Sequence, residues 1–307
     1  MEQQTKRAPV LMVIIAFITV YIVWGSTYFF IAQALSGFPP FILGASRFII
    51  AGLIMLLWCV ITGEKIFDRT LIPKAALGGI LMLFFGNGMV IWVEQTLPSA
   101  MAAIMISATP LWFVLLDKPM WSTNLRNPAT IIALILGFIG VILLFGEKLF
   151  GSAITISSRQ ELVGLGLLNI GVIGWASGSL LIKYKVRKDA SAVVNTAWQM
   201  TAAGLAFIPG MILLDETDQF QLSQVPPRAW WSLAYLVLMG SIAAFSAYVW
   251  LLKVRPVTQV STYAYVNPLV AVLLGVFIAD EKISVVAIVG LGIILLSVLI
   301  INVRRQT

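Results

Sequence analysis

Apolar residues in this chain come in long unbroken runs, with polar residues gathered between them. The stretch 10–35, "VLMVIIAFITVYIVWGSTYFFIAQAL", carries no charge at all. A helix needs about 20 mostly apolar residues to cross the hydrocarbon of a bilayer. With Pro, Gly and charge clusters taken as boundaries, the pattern predicts ten such helices. They lie over 10–34, 40–61, 73–94, 99–116, 128–146, 163–183, 191–214, 229–251, 257–276 and 283–303. The expected fold is an all-α polytopic membrane protein.

The cations between the runs give an orientation. Cytoplasmic segments of membrane proteins are enriched in Lys and Arg. With the N-terminus inside, the inner segments hold 15 of the 20 Lys and Arg, from Lys6 to Arg305. The outer segments hold four: Lys148, Arg159, Arg228 and Lys282. Both termini are therefore expected in the cytoplasm. The outer segments instead carry acids, among them Glu147, Glu161, Asp215, Glu216 and Asp218.

Composition sharpens the class. Of 307 residues, 60% are hydrophobic and 11% charged, with a mean hydropathy of +0.99. Soluble domains are nearer 25% charged, and a soluble fold of this size has too much surface to cover with so few charges. The one cysteine, Cys59, leaves no disulfide within the chain. Histidine is absent, which removes the commonest proton relay and metal ligand. No metal or cofactor is expected. The net charge of +7 sits between apolar runs and reads as a topology signal, not a nucleic-acid surface. The run from Val10 to Leu35 is too long for a signal-peptide core and is read as a retained first span. No loop is long enough for a soluble domain, so an enzyme is not expected.

An internal repeat runs through the chain. "VWGS" (23–26) matches "GWAS" (174–177), setting Trp24 on Trp175. "RFIIAGL" (47–53) matches "QMTAAGL" (199–205), setting Arg47 on Gln199. "ISATPLWFVLL" (106–116) aligns with "YVNPLVAVLLG", setting Pro110 on Pro268. The halves are expected at 1–150 and 151–307, five helices each. Five is odd, so the second half enters the membrane inverted. In transporters such inverted-topology repeats place the substrate site near the midplane, where the halves meet, and serve alternating access.

Four segments carry a resemblance to a known family: "VWGSTYFFI", "RFIIAGLIML", "WVEQTLPSAMAAIMISATPLW" and "NPLVAVLLGVFIADEKIS". Through them nearly the whole chain resembles the ten-helix EamA branch of the drug/metabolite transporter superfamily. The resemblance implies a bacterial inner-membrane secondary transporter of small metabolites, often an exporter of amino acids or related compounds. Purines, cationic drugs and uncoupled facilitation stay open as alternatives. It also implies a pathway lined by the fourth and ninth helices. One departure stands out. The ninth-to-tenth junction carries "ADEKIS" with Glu281, while the equivalent "MWSTNL" (120–125) has no acid. Glu281 is therefore read as structural.

The candidate pathway residues are polar or aromatic groups inside spans. Trp24 and Trp175 lie near mid-span, where an indole N–H needs a partner. They are read either as walls of a cavity or as packing. Asn87, with its approximate repeat mate Ser241, sits mid-span, and burying its amide unpaired costs about 1–3 kcal/mol. Ser107, Tyr263 and Asn267 stand on the fourth and ninth helices, and Trp92 and Tyr248 are weaker candidates. Pro110 and Pro268 remove a donor inside a span and serve as hinges or as static kinks. Glu94 ends the third span and is the candidate for proton or cation coupling.

Arg47 is a charge in an apolar run, roughly 10–12 Å below the outer end of its helix at 1.5 Å per residue. It is expected to bolt helices together, by pairing with Glu94 or with helix-end carbonyls, while Gln199 does the neutral equivalent near the inner face. There is no ATP-binding motif, so transport draws on a gradient or on substrate excess. The expected partners are a small-molecule substrate and the bilayer, with proton coupling and oligomeric state left open.

Overall fold

The computed structural model describes residues 9–95, 102, 105–144, 159–187, 189–279 and 284–303. Helices and turns make up the described chain, and no strand occurs among these residues. The long helices are α1 Val10–Ala34, α2 Pro40–Ile61, α3 Ile72–Val93, α4 Met105–Leu116, α5 Pro128–Leu144, α6 Arg159–Lys185, α7 Ala192–Leu213, α8 Pro227–Val254, α9 Tyr263–Ala279 and α10 Val285–Val303. Seven are long and apolar enough over their described residues to span a bilayer; an eighth follows if α5 is joined to Lys118–Asn124, against which it bends by 100°. α4 and α10 are shorter apolar helices over their described lengths.

The apolar runs are not amphipathic in the soluble sense. On α1, Ile14, Ile18 and Ile22 form an exposed stripe on one side, while Val13, Val20, Val23 and Trp24 are buried. A helix that is apolar all round fits a hydrocarbon solvent.

Packing pairs the helices in a pattern that survives exchange of the halves. α2 packs along α7, and α5 along α10. α1 packs on α8 and α9, just as α6 packs on α3 and α4. Small residues make these contacts close, as in other membrane helix pairs. At Gly79 in α3 a side-chain carbon would collide with the carbonyl oxygen of Gln199 in α7.

Two stretches depart from α geometry, and they match across the halves. Residues Ile80–Asn87 of α3 and Leu236–Phe245 of α8 are π-wound, with hydrogen bonds reaching five residues back. Such turns recur at functional sites. The prolines expected as hinges also sit near interruptions. α4 is broken by a turn at Ala108, and Pro110 opens the segment beyond it. Pro268 lies inside α9, which follows a break at Ser261–Thr262.

The two ends of the bundle are tied differently. At one end the Glu216 carboxylate accepts the backbone N–H groups of Phe41 (3.1 Å) and Ile42 (2.9 Å), capping the start of α2 from the segment between α7 and α8. At the other end Lys183 of α6 donates to the carbonyls of Leu252 (2.6 Å) and Arg255 (2.8 Å), and Lys253 to that of Ala190 (2.8 Å). Anions at helix starts and cations at helix ends both suit the helix dipole.

Candidate functional site

A cavity of about 70 Å³ lies at the centre of the bundle, lined from both halves. That is room for a few waters, below the ~300 Å³ typical of a pocket sized for an organic ligand. α1 contributes Trp24, Thr27, Tyr28 and Ile31; α6 contributes Leu168, Gly171, Val172 and Trp175. Both sets have the 0, 3, 4, 7 spacing of one helix face. On α1 the set starts at its tryptophan, and on α6 it ends there. The cavity therefore lies to one side of the Trp24–Trp175 pair, the side of the Glu216 cap.

The tryptophans close the other side. Their rings meet edge to face, with centroids 5.3 Å apart. Trp24 also packs on Tyr263 (4.9 Å) and Tyr248 (5.0 Å). Each indole has a polar partner. Trp24 Nε1 donates to the carbonyl of Gly240 (3.1 Å), and Trp175 Nε1 to the Tyr248 hydroxyl (3.0 Å). Tyr248 is held in turn by Ser179 (2.7 Å) and stands behind Trp175, outside the cavity wall.

Arg47 is the charged residue of the cavity wall and is 3% exposed. Its Nε donates to Ser241 Oγ (2.9 Å), and its Nη1 to Asn87 Oδ1 (3.2 Å). The π-wound stretches of α8 and α3 thus deliver Ser241 and Asn87 to one guanidinium. Gly240 leaves room for the group, since a side-chain carbon there would stand 3.0 Å from Nη2. The expected pairing with Glu94 or helix-end carbonyls is not what forms. Asn87 precedes Glu94 by seven residues, which is about 10 Å along the axis, and Arg47 is committed at the level of Asn87. Both carboxylate oxygens of Glu94 are buried with no hydrogen-bond partner among the described residues. The expected bond of Gln199 is also absent: its amide atoms are buried and unpartnered, as are those of Asn195 one turn earlier. There the tight contact with Gly79 replaces the open space that surrounds Arg47.

The remaining candidates divide. Asn87, Ser241, Tyr263 and Asn267 line the cavity. Asn267 stands beside Tyr28, and Tyr263 beside Thr109. Ser107 is fully buried in α4, outside the cavity wall. Trp92 is partly exposed, packs on Phe41 and lines a separate apolar crevice with Phe84 and Phe207. Glu281 lies outside the described residues. Sequence reasoning missed Thr27 and Tyr28, for which the helical spacing from Trp24 carried the signal.

The sequence model of the EamA-like transporter family matches residues 11–146 and 162–303. The chain belongs to the EamA-like transporter family. This family is one of transporters rather than enzymes. Among EamA-like relatives, the uncharacterized inner membrane transporter YedA of Escherichia coli is 33% identical, over 94% of this chain and 90% of its own length. Protein PecM of Dickeya dadantii is 25% identical, over 91% and 89%. A crystal structure of a protein 17% identical in sequence superposes with a TM-score of 0.79, over 96% of this chain and 98% of that one. That likeness concerns the fold alone.

Proposed function

We propose that this EamA-like protein is a secondary transporter of the inner membrane. It exports amino acids or related small metabolites by alternating access through the central cavity. The fold reading behind this is ten spans in two inverted five-helix repeats, 1–150 and 151–307, with both termini in the cytoplasm. The half-exchanging helix pairs and the two segments matched by the family support that reading.

One observation carries the mechanism: the cavity runs from the Trp24–Trp175 contact towards the Glu216 end, while towards the other end Gly79 is packed against the Gln199 backbone. In the expected topology the open side faces outward. The closed inner side holds Gln199 against Gly79 and the Lys183 bonds to the end of α8. An inverted repeat can exchange these two arrangements. Pro110, Pro268 and their neighbouring helix breaks supply the bending points, and Trp24, Trp175, Asn87, Ser241, Tyr263 and Asn267 the walls. Binding a substrate requires the cavity to widen.

Counterflow tests the function. Proteoliposomes preloaded with an unlabelled amino acid should accumulate labelled external amino acid transiently and saturably. Ohmic conductance without counterflow would overturn the carrier reading.

A further inference from the structure

We infer that Arg47 and Glu94 are the two poles of a binding site for a small zwitterion. Arg47 takes the anionic group, and Glu94 with Asn267 takes the ammonium. The inference rests on the cavity being the transport site and adds the chemistry of its cargo.

Both poles have unused capacity. A guanidinium offers five N–H donors, and two bonds are made, to Ser241 and Asn87. Those bonds fix its plane from both halves of the protein and leave Nη2 beside Gly240 at the cavity wall. Bidentate recognition of a carboxylate uses this kind of held fork. At the other pole, Glu94 lies one turn beyond Val90, a cavity residue on the same face of α3. Both oxygens of Glu94 and Oδ1 of Asn267 are buried acceptors without a hydrogen-bond partner among the described residues. Asn267 itself lines the cavity and touches Tyr28. An ammonium presents three donors and no acceptor, the complement of these three oxygens.

Arg47 and Glu94 do not join each other directly. Glu94 has no hydrogen-bond partner among the described residues, and Arg47 is bonded elsewhere. A cargo with only a negative group leaves Glu94 unmatched and repels it. A cargo with only a positive group does the same at Arg47. A neutral cargo satisfies neither. A zwitterion satisfies both, with its apolar part against Trp24 and Trp175.

The test compares matched compounds on the full-length protein in proteoliposomes. Each common amino acid competes for counterflow beside its decarboxylated amine and its deaminated acid; for leucine these are 3-methylbutylamine and 4-methylpentanoate. The preferred amino acid should compete at least about ten-fold better than either counterpart, the size of one lost charge-assisted bond. Glu94→Gln should abolish its advantage over the acid, and Arg47→Gln its advantage over the amine. If either variant does not fold, the wild-type ratios decide alone. Counterflow of a singly charged or neutral compound without preference for the zwitterion overturns this inference and leaves the transporter reading standing. Absence of counterflow with every compound overturns both.

Discussion

Trp24 and Trp175 meet edge to face, their centroids 5.3 Å apart and their planes at 84°. They are the residues that the matching segments "VWGS" and "GWAS" set against each other. The central cavity lies towards the Glu216 end from their contact, and towards the other end Gly79 packs on the Gln199 backbone.

Each tryptophan is tied by a bond as well as by its ring. Trp24→Phe keeps an aromatic surface but leaves the Gly240 carbonyl without the indole. A loss of about 1 kcal/mol is expected. Trp24→Ala should cost about 3–5 kcal/mol, as a buried aromatic does. Unfolding of the purified protein in mixed micelles measures both, and an equal cost for the two would refute a role for the ring.

Ser241→Ala and Asn87→Ala each remove one bond from a buried guanidinium, and each should cost about 1.5–3 kcal/mol. In an Arg47→Met background the same changes should cost much less, because the charge that needed them is gone. A double-mutant cycle reads this coupling directly. Additive costs would show that the two side chains act independently of Arg47.

Lys183 holds the carbonyls at the end of α8 on the closed side. Lys183→Met should open that side more often. With Cys59→Ser as background and Gln199→Cys as reporter, maleimide labelling from that face should accelerate about ten-fold, the weight of one such bond. An unchanged rate would mean that Lys183 is not a latch.

Glu216 supplies two acceptors to the start of α2. Glu216→Ala should lower stability by about 1 kcal/mol, as loss of a helix cap does. Glu216→Gln, with one acceptor oxygen left, should recover part of it. Thermal unfolding in detergent separates the two.

Asp68, in the segment between α2 and α3, is held below the usual carboxylate range. The Thr70 hydroxyl is the main cause, helped by the Thr70 and Leu71 backbone N–H groups and by Arg187. A depressed folded-state value means the contribution is complete above the ordinary Asp range. It fades as pH falls through the depressed value. Asp68→Asn should therefore lower stability at neutral pH and flatten its acid decline. A parallel acid decline in both proteins would exclude this source.

The helical class was legible because apolar runs this long have no other stable use. The family was legible in segments such as "VWGSTYFFI" and "RFIIAGLIML", whereas the contact of Trp24 with Trp175 was not, since each reads from the sequence only as a cavity wall or as packing. The surroundings of Arg47 were not legible either. Residue spacing on an ideal helix directs attention to Glu94, the available acid. The π-wound turns of α3 and α8 carry no clear sequence signature, and they bring Asn87 and Ser241 to the guanidinium instead. Thr27 and Tyr28 were readable from the spacing after Trp24. Asn195 was not, because nothing in its neighbours announces a buried amide without a partner.

The π-wound stretches have a consequence for how this chain tolerates change. Each holds a residue more than an α-helix would fit into the same rise. Deleting one residue within 80–87 or 236–245 lets the stretch relax to α geometry. What lies beyond keeps nearly its rise and phase, because the lost residue is the one the wider turn had absorbed, but the side chains within the stretch change the face they present to Arg47. In these two windows the number of residues matters as much as their identity. A substitution there edits one contact, while a single-codon deletion resets the facing of the whole wide turn.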